Sequence, residues 1–211
     1  TFTSLSMGDA TLAVSGTIAK GTTLFTITDA SYTANTVANA TYGNLHYTLD
    51  SNTGAYVVGK TYYWIETSNS DSLTNATNLP EDAANWSTES ASGAAASDCP
   101  TYFDLAVFDK IGSKGVAPQV LMNTSDSDMP YDIKVVQAIV IKTRNKSLNF
   151  TIGTSDTTFE VADGVTATIA AGNDSAMVTV KSAFVGNETA RIIPVAYNSN
   201  STVSLSNDTS A

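Results

Sequence analysis

The residues of this chain best placed to take part in chemistry are asparagines. Sequons of the form N-x-Ser/Thr, with x other than Pro, occur at Asn39, Asn75, Asn85, Asn123, Asn145, Asn149, Asn173, Asn187, Asn200 and Asn207. They take up ten of sixteen asparagines. With Ser and Thr at 55 of 211 positions, chance placement gives roughly four. An asparagine amide in this setting accepts an N-linked sugar in exported proteins. Each sequon also falls at or near an expected turn or strand edge, where a bulky glycan is tolerated. N-linked glycans are the only non-protein groups the sequence leads one to expect.

Other reactive types are scarce. Triads, zinc sites and most acid–base schemes need a histidine, and His46 is the only one, flanked by Leu45 and Tyr47 in an expected strand. A packing or surface role is the expectation for it. Asp126-Ser127-Asp128 has oxygen-ligand spacing but lacks the Gly and distal Glu of a calcium loop, so it reads as an exposed turn. Gly112-Ser113-Lys114-Gly115 lacks the phosphate-loop pattern. Carboxylate pairs for glycoside hydrolysis could be assembled from almost any Asp and Glu here, which gives that signal no specificity. The lone Cys99 cannot form an internal disulfide and reads as a small buried residue. Alternation sets Tyr63 toward the core and Tyr62 and Trp64 on the opposite side, as core or interface residues rather than a sugar platform. Eight lysines could enter an amide crosslink to Asn or Asp, Lys134 and Lys142 bounding the most apolar strand. No catalytic, cofactor or metal residues are assigned, and a non-enzymatic protein is expected.

Composition points the same way. The net charge is −10, and charged residues make up only 14% of the chain, against roughly 25% in ordinary domains. Ser, Thr and Asn supply the polar surface instead. A basic stripe for nucleic acid is absent, and an anionic membrane surface would repel the chain. No run of about 20 apolar residues could span a bilayer. A mature sequence beginning at Thr1 fits an exported protein whose secretory signal has been cleaved.

The elements that must carry these residues are strands. Thr and Val are plentiful and Glu and Gln scarce, which disfavours helices. Alternating or apolar runs recur at residues 24–27, 44–49, 55–58, 61–67, 102–108, 119–122, 133–143, 148–152, 157–161, 165–170, 176–180, 192–197 and 202–205, separated by Gly, Asp and Asn. Asp50-Ser51-Asn52-Thr53-Gly54 is a hairpin turn sequence. Many short strands at such spacing, with no convincing internal repeat, predict an all-β antiparallel sandwich of immunoglobulin-like or pilin-like type. Residues 68–100 break the alternation and read as a long surface insertion with a helical turn near Pro80–Trp86. The expected organisation is an N-terminal strand or tail at 1–20 and one sandwich at 21–211.

Within that leading stretch Leu12, Val14 and Ile18 share one parity, with Gly16 between them. Such a strand could serve its own sheet or be lent to a neighbouring copy. The leading strand, the all-β body, the dense sequons and the missing catalytic groups together resemble the thread-type pilins of archaea, similar in plan to chaperone-usher and type V pilins. The resemblance implies a glycosylated extracellular filament subunit joined head to tail by donor-strand complementation. Leu12, Val14, Gly16 and Ile18 would then sit in the groove of the next subunit. It further implies a homopolymer serving adhesion to cells or abiotic surfaces, cell–cell contact or biofilm structure. A secreted carbohydrate-binding or adhesin domain is the alternative from another class, and a secreted hydrolase a third.

Overall fold

Alternation of small and large apolar residues with Thr makes ribbons that are buried on one face and half-exposed on the other. In a computed structural model the chain winds these ribbons into coils. The structure describes residues 1, 19–27, 45–50, 53–66, 78–111, 117–124, 126–143, 148–172 and 175–205. Strands β1 (Thr23–Thr26), β2 (Leu45–Asp50) and β3 (Ala55–Trp64) come first. A 3-10 turn at Ala83–Asn85 leads into β4 (Trp86–Ser87). Then follow β5 (Leu105–Phe108), β6 (Gln119–Met122), β7 (Asp132–Val135), β8 (Ile139–Thr143), β9 (Asn149–Ile152), β10 (Thr158–Val161), β11 (Thr166–Ala171), β12 (Met177–Val180), β13 (Ala183–Val185), β14 (Arg191–Ala196) and β15 (Thr202–Leu205).

From β5 onward every pairing is parallel. One sheet stacks β3, β5, β7, β10 and β13; a second stacks β6, β8, β11 and β14; a third stacks β9, β12 and β15. From β7 onward the chain visits the three sheets in turn and returns to the first one coil later, and in the preceding coil the isolated parallel bridge of Met129 to Ile152 stands where a strand of the third sheet would. This is a parallel β-solenoid, and it overturns the antiparallel sandwich expected from the sequence. Parallel neighbours need a long crossover, and here the other two strands of each coil supply it. Register is kept along files of apolar residues. Ile133, Phe159 and Phe184 form one file, Ile141, Ile169 and Pro194 a second, and Ile152, Val180 and Leu205 a third. The expectation of no internal repeat falls with the sandwich.

The stretch 133–143, read as one strand, is two strands of different sheets meeting at a corner around Val136–Ala138. Corners need tight backbone. Gly153 adopts φ +72°, and a Cβ there would lie 1.6 Å from Ser182 Oγ. Inward residues of all three sheets join in one core, with Ile133, Val135, Ile141, Ile152, Phe159 and Ile169 fully shielded.

The N-terminal end of the coil stack is closed by antiparallel pieces. β2 and β3 form the expected hairpin, with Gly54 at φ +66° and Thr53 Oγ1 donating to Asp50 Oδ2 at 2.7 Å. β1 and β4 also pair antiparallel with β3. Within 68–100, Asn78, Pro80 and Asn85–Ser87 are buried, while residues 88–99 are exposed or half-exposed. Trp86 is wholly buried, edge-on to Trp64 at 4.9 Å between ring centroids, and its Nε1 donates to Pro80 O at 2.9 Å. Leu121 N donates to Asn78 O at 2.8 Å, which covers the edge of β6. Tyr62 and Trp64 are fully buried and Tyr63 is half-buried, the reverse of the expected facing. The division at residue 20 and the anchors Leu12, Val14, Gly16 and Ile18 involve residues 2–18, outside the described set.

Candidate assembly surface

The last coil has the same sequence character as the coils beneath it, but among the described residues no strand pairs with its outer edge. Its inward files end in Phe184, Ile192, Pro194, Ala196, Val203 and Leu205, where the corresponding residues one coil earlier are buried. Phe184 is 45% and Leu205 41% exposed, whereas Phe159 and Val180 beneath them are 0% and 3%. Val185, Ile193 and Tyr197 add further exposed apolar surface on the outer side.

The hydrogen-bond ladder ends there too. Arg191 N donates to Val165 O and Tyr197 N to Ala171 O, so the odd-numbered residues of β14 face β11 and the even-numbered ones face outward. By the same logic the amides of Phe184, Ile192, Ala196, Val203 and Leu205 point away from the stack. An unpaired strand edge above an uncovered apolar face is a template for association.

At the other end, polar side chains tie the closing strands to the coils. Asp104 is fully buried. Its carboxylate accepts from Lys60 N at 2.8 Å, Thr101 N at 2.7 Å, Thr101 Oγ1 at 3.1 Å and the Lys20 ammonium. One coil on, Asp132 Oδ1 accepts from Thr158 N at 2.7 Å and Thr158 Oγ1 at 3.0 Å, and Oδ2 takes a hydrogen bond from His46 Nε2 at 2.6 Å. Next come Thr157 and Ser182, hydroxyl to hydroxyl at 2.7 Å. His46 is therefore a bridge from the β2 hairpin to the coils. The hydroxyl beside it bonds the carboxylate and not the imidazole, so the set does not form a nucleophile–base–orienter relay.

Burial pushes the Tyr62 hydroxyl pKa well up, with Asp104 adding to it, and does the same to Tyr131, with Cys99 and Glu81 contributing. Both phenols keep their protons in the fold while an unfolded tyrosine ionises near pH 10. A raised folded pKa confers stability that is complete below the unfolded value and is lost as pH climbs from there toward the folded one. Thermal midpoints should therefore drop steeply above about pH 10, and Tyr131→Phe should blunt that drop in a pH series of melting curves. The Cys99 thiol is also held up by burial, which keeps it protonated and unreactive.

The other candidates are scattered. Ser127 Oγ donates to Glu81, and Asp128 Oδ1 accepts from Thr151 N at 2.6 Å. Lys134 pairs with Glu160 at 2.9 Å on the surface rather than with an Asn or Asp. Among the described residues no cluster of three or more His, Cys, Asp or Glu could hold a metal. A groove of about 580 Å3 lies along one corner, lined by Asp128, Pro130, Thr151, Thr154, Ser155 and Lys181, with no aromatic ring among them.

The sequons separate by geometry. Asn85 is 3% exposed and its Nδ2, the atom that would carry a sugar, donates to Leu79 O at 2.9 Å. Asn149, Asn187 and Asn200 are exposed and Asn123 is half-buried. At Asn187 the acceptor turn is formed, Thr189 Oγ1 and N both donating to Asn187 Oδ1 at 2.7 and 2.9 Å. Asn39, Asn75, Asn145, Asn173 and Asn207 lie outside the described residues. Glycopeptide mapping of folded native material should find Asn187, Asn200 and Asn149 occupied and Asn85 bare. Sugar on Asn85 in folded protein would contradict the packing of the 3-10 turn.

The open terminal coil had a faint signature in the sequence. Residues 192–197 and 202–205 read as closing strands, but only the coil topology shows that, among the described residues, no further strand pairs beyond them. β13 was missed because Ala183–Val185 is three residues long. Set against known protein families, curated proteins and solved structures, the chain shows no match.

Proposed function

We propose that this chain is a structural subunit of an extracellular surface filament, built from copies of itself and serving adhesion, cell–cell contact or biofilm structure. The observation that carries the proposal is the open terminal coil, an apolar face rimmed by main-chain groups that pair with no strand among the described residues. Exposed sequons on coil corners support an exported, sugar-coated exterior. Among the described residues no helix is long and apolar enough to cross a membrane. The coil stack is also a suitable body for a fibre, since each coil rests on its neighbours along one axis.

A sandwich groove, which strand donation was expected to fill, has no place in this fold. A strand supplied by Leu12–Ile18 would instead have to add to a sheet edge of the neighbouring copy. The adhesin alternative would need a sugar-stacking surface, and the corner groove has no ring to provide one.

The test is negative-stain microscopy of native full-length material beside a Val14→Asp variant. Long polymers shortened or lost in the variant are the expected result. Unassembled wild-type chains at native concentration would remove the filament reading.

A further inference from the structure

The geometry points to a specific partner for the open coil: the same coil of a second copy, packed face to face about a two-fold axis. This rests on the filament reading in taking the contact to be between copies, and adds which surface makes it and with what symmetry.

Three observations lead there. First, the inward files end in Phe184, Ile192, Pro194, Ala196, Val203 and Leu205, none of them charged. Such a face is complementary to another apolar face, and it is its own nearest match. Second, the opposite end of the described stack offers no equivalent. β2 and β4 lie along β3, Asn78 covers β6, and Trp86 fills the space behind them. A head-to-tail contact between the described ends would set an apolar face against a closed one.

Third, Pro194 stands at the middle of β14, the longest strand of the coil, at a position whose amide would point outward. Proline has no N–H to give, and its place on a sheet is at an edge. An added strand running along β14, whether a further coil or a donated segment, would lose its central bond. Side-chain packing across a two-fold axis loses nothing by it, and β13 and β15 can still approach the partner's edges. On this face Phe184 and Leu205 are 45% and 41% exposed, the apolar exposure that marks an association site, and a stable contact would bury roughly 800 Å2 per copy. An isologous contact closes on itself. A filament then needs a second contact at the other end, where Lys20 meets Asp104.

Light scattering on the full-length chain at micromolar concentration tests this. Wild type should show twice the protomer mass as its smallest species, and the double variant Phe184→Asp, Leu205→Asp should show the single mass with an unchanged circular dichroism spectrum. Hydrogen exchange on the unaltered protein covers the case in which the variant misfolds. The amides of Phe184, Ile192, Ala196, Val203 and Leu205 should exchange more slowly at dimer-forming concentration than on dilution. Dimers that never grow into filaments would sink the filament reading and leave this contact standing. Filaments or dimers that persist in the folded double variant, or concentration-independent exchange at those five amides, would overturn the contact itself.

Discussion

Replacing Trp86 with alanine is expected to destabilise the fold by about 3–5 kcal/mol, the range for emptying a large buried aromatic site. The ring is wholly buried, with Trp64 edge-on at 4.9 Å, Phe108 at 5.7 Å and Tyr131 at 6.3 Å between centroids. It closes the end of the coil stack, so its loss opens the core to water and also frees Pro80 O from its indole partner. The site cannot easily collapse, because the backbone around Trp86 is held from several sides, by pairing of Trp64 with Trp86 and Tyr63 with Ser87, by Ala96 N donating to Trp86 O at 2.6 Å and by Ile65 N donating to Asn85 O at 2.9 Å. Urea unfolding read by fluorescence of Trp64 measures the effect. A loss under 1 kcal/mol would mean that the plug is not packed as described.

Asp104→Ala should cost a similar amount, about 3–5 kcal/mol, for an electrostatic reason. Four donors converge on this carboxylate, two of them backbone amides that would lose their acceptor. Removing it strands the Lys20 ammonium, whose side chain is only 26% exposed. Asp104→Asn should recover part of the loss, since the amide oxygen can still accept while its NH2 faces donors. Lys20→Met in the Asp104→Ala background should recover more than it costs alone. Chemical denaturation of the four proteins as a double-mutant cycle gives the coupling; additive single effects would show that the pair does not interact.

Much of the strand content could be read directly. The hairpin at Asp50–Gly54 was legible because an Asx residue and a glycine at those positions leave the backbone few choices. The runs 119–122, 148–152 and 176–180 coincide with β6, β9 and β12 to within one residue at either end. Direction was not legible. Gly153 and Gly164 have the positive φ of hairpin glycines, yet they turn corners between sheets, and turn chemistry does not distinguish the two uses. The repeat was hidden for a related reason. Phe159 sits over Ile133 and Val180 over Ile152, so side-chain volume and parity recur while identity does not. Coil length also varies, 28 residues from Ile139 to Ala167 but 25 from there to Ile192, which blurs any fixed period. Tyr62 and Trp64 were assigned to the wrong face because parity says which residues share a side, not which side is buried. Of the candidate sites, the sequons were visible but not their sorting, since nothing local marks Asn85 as buried.

Cross-strand contacts by nuclear magnetic resonance test the parallel coil most directly. In this fold Val140, Thr168 and Ile193 lie side by side on one outer file of three successive coils, so backbone proton contacts should join 140 to 168 and 168 to 193. Contacts that instead pair β8 with β9 and β11 with β12 in antiparallel order would contradict the solenoid, and with it the open coil on which the assembly reading stands.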